Sequence, residues 1–304
     1  MNTARITADW LALDWGTTNL RAWAMSHDGT ILAHATSDNG MGKLTPAGYE
    51  PALLDLTRDW FTGPLTAVAC GMVGARQGWI EAPYASTPCS PTPTAFIQAP
   101  TTTPGLTVQI IPGIRQNTPA DVMRGEETQI AGFIALNPGW DGVLCLPGTH
   151  SKWVHISAGE VVSFQTVMTG ELFALIGTHS VLRHTVGTKG WNDAAFAEAL
   201  SETLSRPERM IGRLFSLRAE HLLHKLDGAT ARARLSGLLI GAELAATRAY
   251  WLGQNIAVIG VGTLSRLYIS ALAQQSVTAI QADNDSVTLA GLTTAYHAYR
   301  SLKG

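Results

Sequence analysis

Twice along this chain a short apolar strand breaks at a Gly-Thr turn and restarts as a second strand. The first instance is Leu13-Asp14-Trp15-Gly16-Thr17-Thr18-Asn19, and the second is Leu144-Cys145-Leu146-Pro147-Gly148-Thr149-His150-Ser151-Lys152-Trp153. Such a turn presents backbone N–H groups and hydroxyls to phosphate oxygens. Taken alone, either reads as an ordinary polar hairpin turn. Taken together, one per half, they form a clamp for a triphosphate, and the recurrence restricts the fold to two related α/β halves. Asp14, at the end of the first strand, is placed to hold a hydrated Mg²⁺. Neither turn matches the strand-to-helix G-x-x-x-x-G-K-[ST] loop or the G-x-G-x-x-G dinucleotide turn, which disfavours P-loop and Rossmann folds.

A length of 304 residues suits two domains with a cleft available to a ligand. Residues 10–13, 20–25 and 31–36 read as consecutive strands joined by tight turns. Thr45 followed by Pro46 starts a helix over 46–60. A strand at 65–70 precedes a long stretch, 71–104, dense in Gly, Pro, Ser and Thr, of the kind that lines a site. Further strands are expected at 108–111 and 142–146, with a helix at 126–136 and a hairpin pairing 153–156 with 161–166. From about residue 168 the periodicity becomes helical, over 171–176, 193–204, 208–226 and 231–252. The chain closes as strand 256–259, helix 265–274, strand 277–281 and helix 286–299. The expected division is 1–166 and 167–304, with the last helix able to return to the first domain.

Charge excludes several partners. Lys+Arg 21 against Asp+Glu 23 leaves a net −2, so there is no basic field for nucleic acid or an anionic membrane. The first ten residues lack the pattern of an export leader, and no run of apolar residues is long enough to span a bilayer. Cys70, Cys89 and Cys145 are odd in number and scattered, which fits a reducing cytosol. His150, His179 and His184 show no metal-ligand spacing. Trp10, Trp60, Trp140, Trp153, Trp191 and Trp251 fit core or interface packing.

A third turn, Ile259-Gly260-Val261-Gly262-Thr263-Leu264-Ser265, joins a strand to a helix. Alone it is a plain connection; in third place after the two Gly-Thr turns, the series resembles the phosphate-1, phosphate-2 and adenosine motifs of the actin/hexokinase-like superfamily. Three further runs, 71–79 (Gly-Met-Val-Gly-Ala-Arg-Gln-Gly-Trp), 124–129 (Arg-Gly-Glu-Glu-Thr-Gln) and 146–153 (Leu-Pro-Gly-Thr-His-Ser-Lys-Trp), resemble signatures of the 2-dehydro-3-deoxygalactonokinase family, over nearly the whole chain. That resemblance implies a two-domain actin-like ATPase fold of the ribonuclease H-like type, closing over ATP and Mg²⁺ in an interdomain cleft. It also implies transfer of phosphate from ATP to the terminal hydroxyl of 2-dehydro-3-deoxy-D-galactonate. Nothing in composition or periodicity identifies that sugar acid.

The resemblance makes Gly16, Thr17, Thr18, Asn19, Gly148, Thr149, His150, Ser151, Lys152, Gly260 and Gly262 candidates for nucleotide contact, with Asp14 for the metal. Lys152 reads equally as a phosphate partner or an exposed strand residue. Related sugar kinases carry a proton-accepting carboxylate at a helix start shortly before the second turn. Glu126, following Gly125, occupies that place and is the candidate general base, with Glu127 and Asp121 as alternatives. An acidic helix start also arises simply from the macrodipole. Arg76, beside Gln77 in the irregular stretch, offers a guanidinium fork to a substrate carboxylate. Arg124 is a second cation, and Asn39-Gly40 a loop whose glycine permits close backbone approach. Three functional classes remain: a sugar-acid kinase, a phosphoanhydride hydrolase on the same fold, and a sugar-sensing regulator. The last is opposed by the lack of a DNA-binding module and of basic charge. A homodimer is expected.

Overall fold

The computed structural model describes residues 6–303. The expectation of no leader over residues 1–10, and the outer limits of the 1–166 and 167–304 division, fall in part on residues outside those described. The chain forms two compact units. The first comprises Met1–Trp140, Ser157–Ser163 and Asp283–Gly304, and the second Asp141–Ile156 and Phe164–Ala282. Residues 141–156 therefore cluster with the later part of the chain rather than with 1–140, and the last helix clusters with the first unit.

The first unit is built on β1 (Trp10–Trp15), β2 (Leu20–Met25), β3 (Ile31–Ser37), α1 (Tyr49–Thr57), β4 (Leu65–Gly71), β5 (Tyr84–Ser86), β6 (Ile97–Gln98), β7 (Leu106–Ile110), β8 (Gly113–Asn117), β9 (Ala120–Met123) and α2 (Glu126–Leu136). Its main sheet has the order β3-β2-β1-β4-β7-β6, with β1 antiparallel to β2 and parallel to β4. Both faces of β1 are covered, as the unbroken apolar run Trp10-Leu11-Ala12-Leu13 requires. Alternation sends Leu11, Leu13 and Trp15 to the side where Tyr49 and Leu53 of α1 pack. Trp10 and Ala12 face the side where Leu292 and Tyr296 pack, the Trp10 and Tyr296 rings stacking with centroids 4.2 Å apart.

In chain order the second unit's elements follow as β10 (Gly142–Leu146), β11 (Ser151–Ser157), β12 (Glu160–Val167), α3 (Thr169–His179), α4 (Asp193–Ser205), α5 (Met210–His224), α6 (Gly228–Ala246), α7 (Arg248–Trp251), β13 (Ile256–Ile259), α8 (Thr263–Ala273) and β14 (Ala279–Ala282). The closing helix is α9 (Asn284–Lys303). The sheet order is β12-β11-β10-β13-β14. Again a fully buried strand, β10, pairs antiparallel with the strand after its Gly-Thr turn and parallel with a later one, β13. The recurrence legible in sequence is thus a recurrence of sheet topology. Helices α4 and α6 cross closely because Gly237 and Gly241 carry no side chain; a Cβ on Gly237 would lie 2.4 Å from the Phe196 carbonyl oxygen. In the first unit, Gly132 and Gly291 allow α2 and α9 the same approach.

Several expected elements are redrawn. The stretch 71–104 carries a short 3₁₀ turn (Met72–Gly74), β5 and β6, and β8 and β9 form an unanticipated hairpin that with β5 makes a third sheet. The expected 231–252 helix breaks at Thr247, and α8 begins at Thr263, just after Gly262 with its φ of +93°. No helix among the described residues is long and apolar enough to cross a membrane.

Candidate active site

The first Gly-Thr turn closes on itself through a bond from the Gly16 N–H to the Asn19 carbonyl at 2.9 Å. Thr17, Thr18 and Asn19 are exposed, and the Thr17 and Thr18 amides have no protein partner among the described residues. The Asn39-Gly40 loop braces it. Met41 N–H donates to Gly16 O at 3.0 Å, Gly42 N–H to Thr17 O at 2.9 Å, and the Trp15 indole to Asn39 O at 2.8 Å. A Cβ on Gly40 would lie 2.3–2.5 Å from backbone atoms of Thr17, Thr18 and Asn19. The close approach that Gly40 permits is therefore to the turn itself.

Asp14 is the next-to-last residue of β1, opposite Cys70 and one residue before the Trp15–Gly71 pair. Its Oδ2 accepts from Arg21 Nε at 3.0 Å, and the Arg21 terminal nitrogens reach Asp14 and Asp285. Asp14 is 21% exposed in its side chain. Burial pushes the Cys70 thiol well up, with the Asp14 charge adding to it, so the thiol stays protonated and points its weak donor at Asp14 Oδ1, 3.8 Å away.

Two positive-φ glycines draw the helix start to this strand end. Gly71 has φ +90°, and a Cβ there would lie 2.7 Å from Trp15 O and 3.5 Å from Asp14 Oδ1. Gly125 has φ +107°, and its Cβ would lie 3.3 Å from the Gly71 Cα. Asp14, Gly71, Gly125 and the first residues of α2 thus converge, and the two adjacent carboxylates there differ. Glu127 is 1% exposed and takes the Gly125 N–H on both oxygens, at 2.9 and 2.7 Å. Burial, then the Glu126 charge, pushes its carboxyl up to about 8, so at neutral pH it holds its proton. Glu126 is half-buried and accepts from the Arg124 N–H at 3.0 Å. Asp121 lies back in β9, its carboxylate accepting the Val122 N–H. Of the three, Glu126 alone combines the helix start with access.

The stretch after Gly71 is tightly folded. Trp79 N–H returns to Val73 O and Ala82 N–H to Gly74 O, both at 2.9 Å, and the Trp79 ring packs with Trp15 and Tyr49. Arg76 and Gln77 stand exposed at its tip, Arg76 without a partner among the described residues. Arg124 is used differently: its guanidinium lies 4.3 Å over the Tyr84 ring and donates to Ala82 O at 2.7 Å. Its Nε and Nη1 are buried without a hydrogen-bond partner, and Nη1 crosses Gly74, where a Cβ would lie 2.8 Å away. Arg124 is a packing strut of this loop, whereas Arg76 is presented to solvent.

In the second unit, Thr149 and His150 are exposed, and their amides likewise have no partner among the described residues. Helix α3 supports the turn from behind: Glu171 N–H donates to Thr149 O at 2.9 Å, Glu171 pairs with the His150 ring at 2.5 Å, and a Cβ on Gly170 would lie 2.3 Å from Gly148 O. Ser151 and Lys152 do not face outward. Ser151 is fully buried, its hydroxyl accepting the Gly148 N–H at 3.4 Å. Lys152 is only 4% exposed, with its ammonium donating to His150 O at 3.4 Å, so the expectation of an exposed strand lysine is corrected.

Beside this turn opens a cavity of about 380 Å³ reaching from Gly148 and Thr149 to Thr263 and Leu264 at the start of α8. Its far wall is largely apolar, formed by Leu239, Ile240, Leu264 and Leu267 with Trp191 and Phe173. Arg232 joins that wall, its guanidinium 5.2 Å over the Phe173 ring. Gly260, with φ +133°, donates to Ala282 O at 2.8 Å, and a Cβ there would strike Ser265 Oγ at 2.5 Å; Gly262 has open space beside it. These two glycines shape the turn, while Thr263 and Leu264 after it reach the cavity. Trp191, read from sequence as packing, does pack against the core beside Phe196 and also lines this cavity. Thr169, Phe173, Arg232 and Ser236 were not anticipated, because α3 and α6 share no motif. Among the described residues no group of three or more His, Cys, Asp or Glu could hold a metal ion.

The family model described as 2-keto-3-deoxy-galactonokinase matches residues 14–295. An Escherichia coli (strain K12) protein named 2-dehydro-3-deoxygalactonokinase is 36% identical over 296 residues, covering 96% of this chain and 99% of its own. A Rhizobium meliloti (strain 1021) protein, described as a probable 2-dehydro-3-deoxygalactonokinase, is 39% identical over 295 residues, covering 94% of this chain and 96% of its own. A crystal structure of a Sinorhizobium meliloti protein described as a 2-dehydro-3-deoxygalactonokinase superposes with a TM-score of 0.87 at 38% identity, over 95% of this chain and 96% of that one.

Proposed function

Because the chain belongs to the 2-keto-3-deoxy-galactonokinase family, we propose that it is an ATP-dependent kinase that phosphorylates the terminal hydroxyl of 2-dehydro-3-deoxy-D-galactonate, giving the 6-phosphate and ADP. The observation that carries the chemistry is the convergence of Asp14, Gly71 and Gly125 at the start of α2, which sets an accessible carboxylate, Glu126, beside a protonated one at the phosphate-1 strand end.

In this reading the cavity of the second unit takes the nucleoside of ATP against Trp191, Leu239, Ile240 and Leu267, and the Thr149 and His150 amides meet its phosphates. A volume of about 380 Å³ is within the usual range for a ligand pocket. In the first unit the Thr17 and Thr18 amides serve the transferred phosphoryl group, and Arg76 pairs with the substrate carboxylate. As the sugar hydroxyl oxygen bonds to the γ-phosphorus, the bond to the β-phosphate oxygen breaks and ADP leaves. The hydroxyl proton passes to Glu126, which is half-buried at the helix start, whereas Glu127 already holds its own proton.

Magnesium fits this donor set as a hydrated ion held chiefly by phosphate oxygens, for which one carboxylate suffices. Asp14 would supply that carboxylate, and the ion would neutralise charge on the phosphates. Three unpaired thiols, two of them buried, support a reducing cytosolic setting.

The test is a panel of sugar acids and neutral sugars with ATP and Mg²⁺, following ADP and locating the new phosphate by NMR. ADP formation that depends on the 2-keto-3-deoxy sugar acid is expected. Phosphate release without any sugar would assign a hydrolase instead, and turnover confined to neutral hexoses would overturn the substrate.

A further inference from the structure

The second unit buries a carboxylate that the reaction does not use. Glu243, on α6, is 2% exposed and sits in the apolar run Leu238-Leu239-Ile240-Gly241-Ala242-Glu243-Leu244. Burial pushes its carboxyl up, and donors pull against that: Thr169, the Tyr268 hydroxyl at 2.7 Å and the Trp153 indole at 2.8 Å. Tyr268, fully buried on α8, also lies 2.9 Å from the Ser151 hydroxyl, which in turn accepts the Gly148 N–H.

The Tyr268 hydroxyl has a single hydrogen and gives it to Glu243, which fixes the sense of every bond in the row. Tyr268 donates to Glu243, Ser151 then donates to Tyr268, and Ser151 keeps a lone pair for Gly148. The row runs from a backbone amide of the phosphate-2 turn, through two hydroxyls on β11 and α8, to a carboxylate on α6. Thr169, the other hydroxyl on Glu243, precedes Gly170, whose missing side chain lets α3 lie against the same turn. Buried polar rows of this kind are exacting, because each member satisfied in one geometry is unsatisfied in others.

We propose that Tyr268 is a positioning residue for ATP: held by Glu243, it orients Ser151 so that the Gly148–His150 turn keeps its outward amides set for phosphate before the nucleotide arrives. The consequence is that Ser151 acts through the turn and not by touching the nucleotide. The inference rests on the kinase reading above. It differs from that reading in what it loses: removing the row slackens the turn and leaves the sugar-acid contacts of the first unit alone.

The experiment compares Tyr268→Phe, Ser151→Ala and the double variant with wild type, measuring KM for ATP, KM for the sugar acid, ATP affinity without sugar, and melting temperature. Each single variant should weaken ATP binding and raise KM for ATP by about 3- to 10-fold, the effect of one net hydrogen bond. KM for the sugar acid should change less than twofold. The double variant should be no worse than the poorer single, since both break one row. Additive losses, equal rises in both KM values, or unchanged ATP affinity would each overturn the proposal. Should Tyr268→Phe fail to fold, Ser151→Ala decides through the same split between the two KM values. Wild-type turnover with ATP tests the kinase reading separately, so a failure of either is recognised as its own.

Discussion

Replacing Glu127 with Gln should stabilise the protein at alkaline pH relative to wild type while leaving turnover nearly intact. Glu127 is buried, and its carboxyl is pushed from the ordinary 4.5 to about 8. A folded-state value above the unfolded one means the native chain binds the extra proton, so stability falls as pH rises between the two values. The contribution is fully present below about 4.5, declines through neutral pH and is gone above about 8. One pH unit within that window is ~1.36 kcal/mol, so wild type should lose about 2 kcal/mol between pH 6 and pH 8 from this group. Glutamine has the same size, can accept the Gly125 N–H, and does not titrate, so its curve should lack that decline. Denaturant midpoints for both proteins from pH 5 to pH 9 measure the difference. Parallel curves would refute the argument, showing that Glu127 is ionised in the folded protein at neutral pH. The same variant arbitrates the catalytic choice, because a collapse of kcat would make Glu127 the base.

Three further outcomes are expected. Glu126→Gln should lower kcat by ~10²–10⁴-fold with ATP affinity nearly unchanged, measured by steady-state kinetics and nucleotide titration; near-normal kcat would move the base elsewhere. Arg76→Ala should raise KM for the sugar acid by more than that for ATP, a lost charge-assisted bond of roughly 1.5–3 kcal/mol, with Lys restoring only part because it lacks the planar fork. Gly40→Ala should cut turnover and lower Tm together, since its Cβ would fall 2.3–2.5 Å from the backbone of the phosphate-1 turn; wild-type turnover would show that the loop can yield without disturbing that turn.

Where side-chain periodicity and chain punctuation agree, the fold was legible. Strand β10, strand β13 and helix α2 have the limits expected from sequence, because each is a continuous apolar or periodic run bounded by Gly, Pro or Asn. The β8–β9 hairpin was not, since Pro112, Gly113, Asn117, Thr118 and Pro119 spell a loop. Its pairing is fixed by tertiary packing: β8 lies parallel to β5, and Gly113 sits where a Cβ would lie 2.5 Å from Met123 O. Local propensity carries no trace of such a partner.

For the site, sequence located turns and misjudged directions. A Gly-Thr turn tells where the backbone opens, but not which hydroxyl turns inward: Thr149 faces out, while Ser151, two residues on, opens β11, whose first four residues are all buried. Gly40 carried the message that something approaches closely, and only the folded chain says that the neighbour is Thr17-Thr18. Arg124 and Arg76 are both cations in or beside the same irregular stretch, yet one lies across Gly74 over the Tyr84 ring and the other has no partner among the described residues. One signal was available and unused. Glu243 is the lone carboxyl of an otherwise apolar run, and a polar group buried there must be met by hydrogen-bond partners such as donors. Asking which donors leads from α6 through Tyr268 to Ser151, and so to the phosphate-2 turn from its buried side.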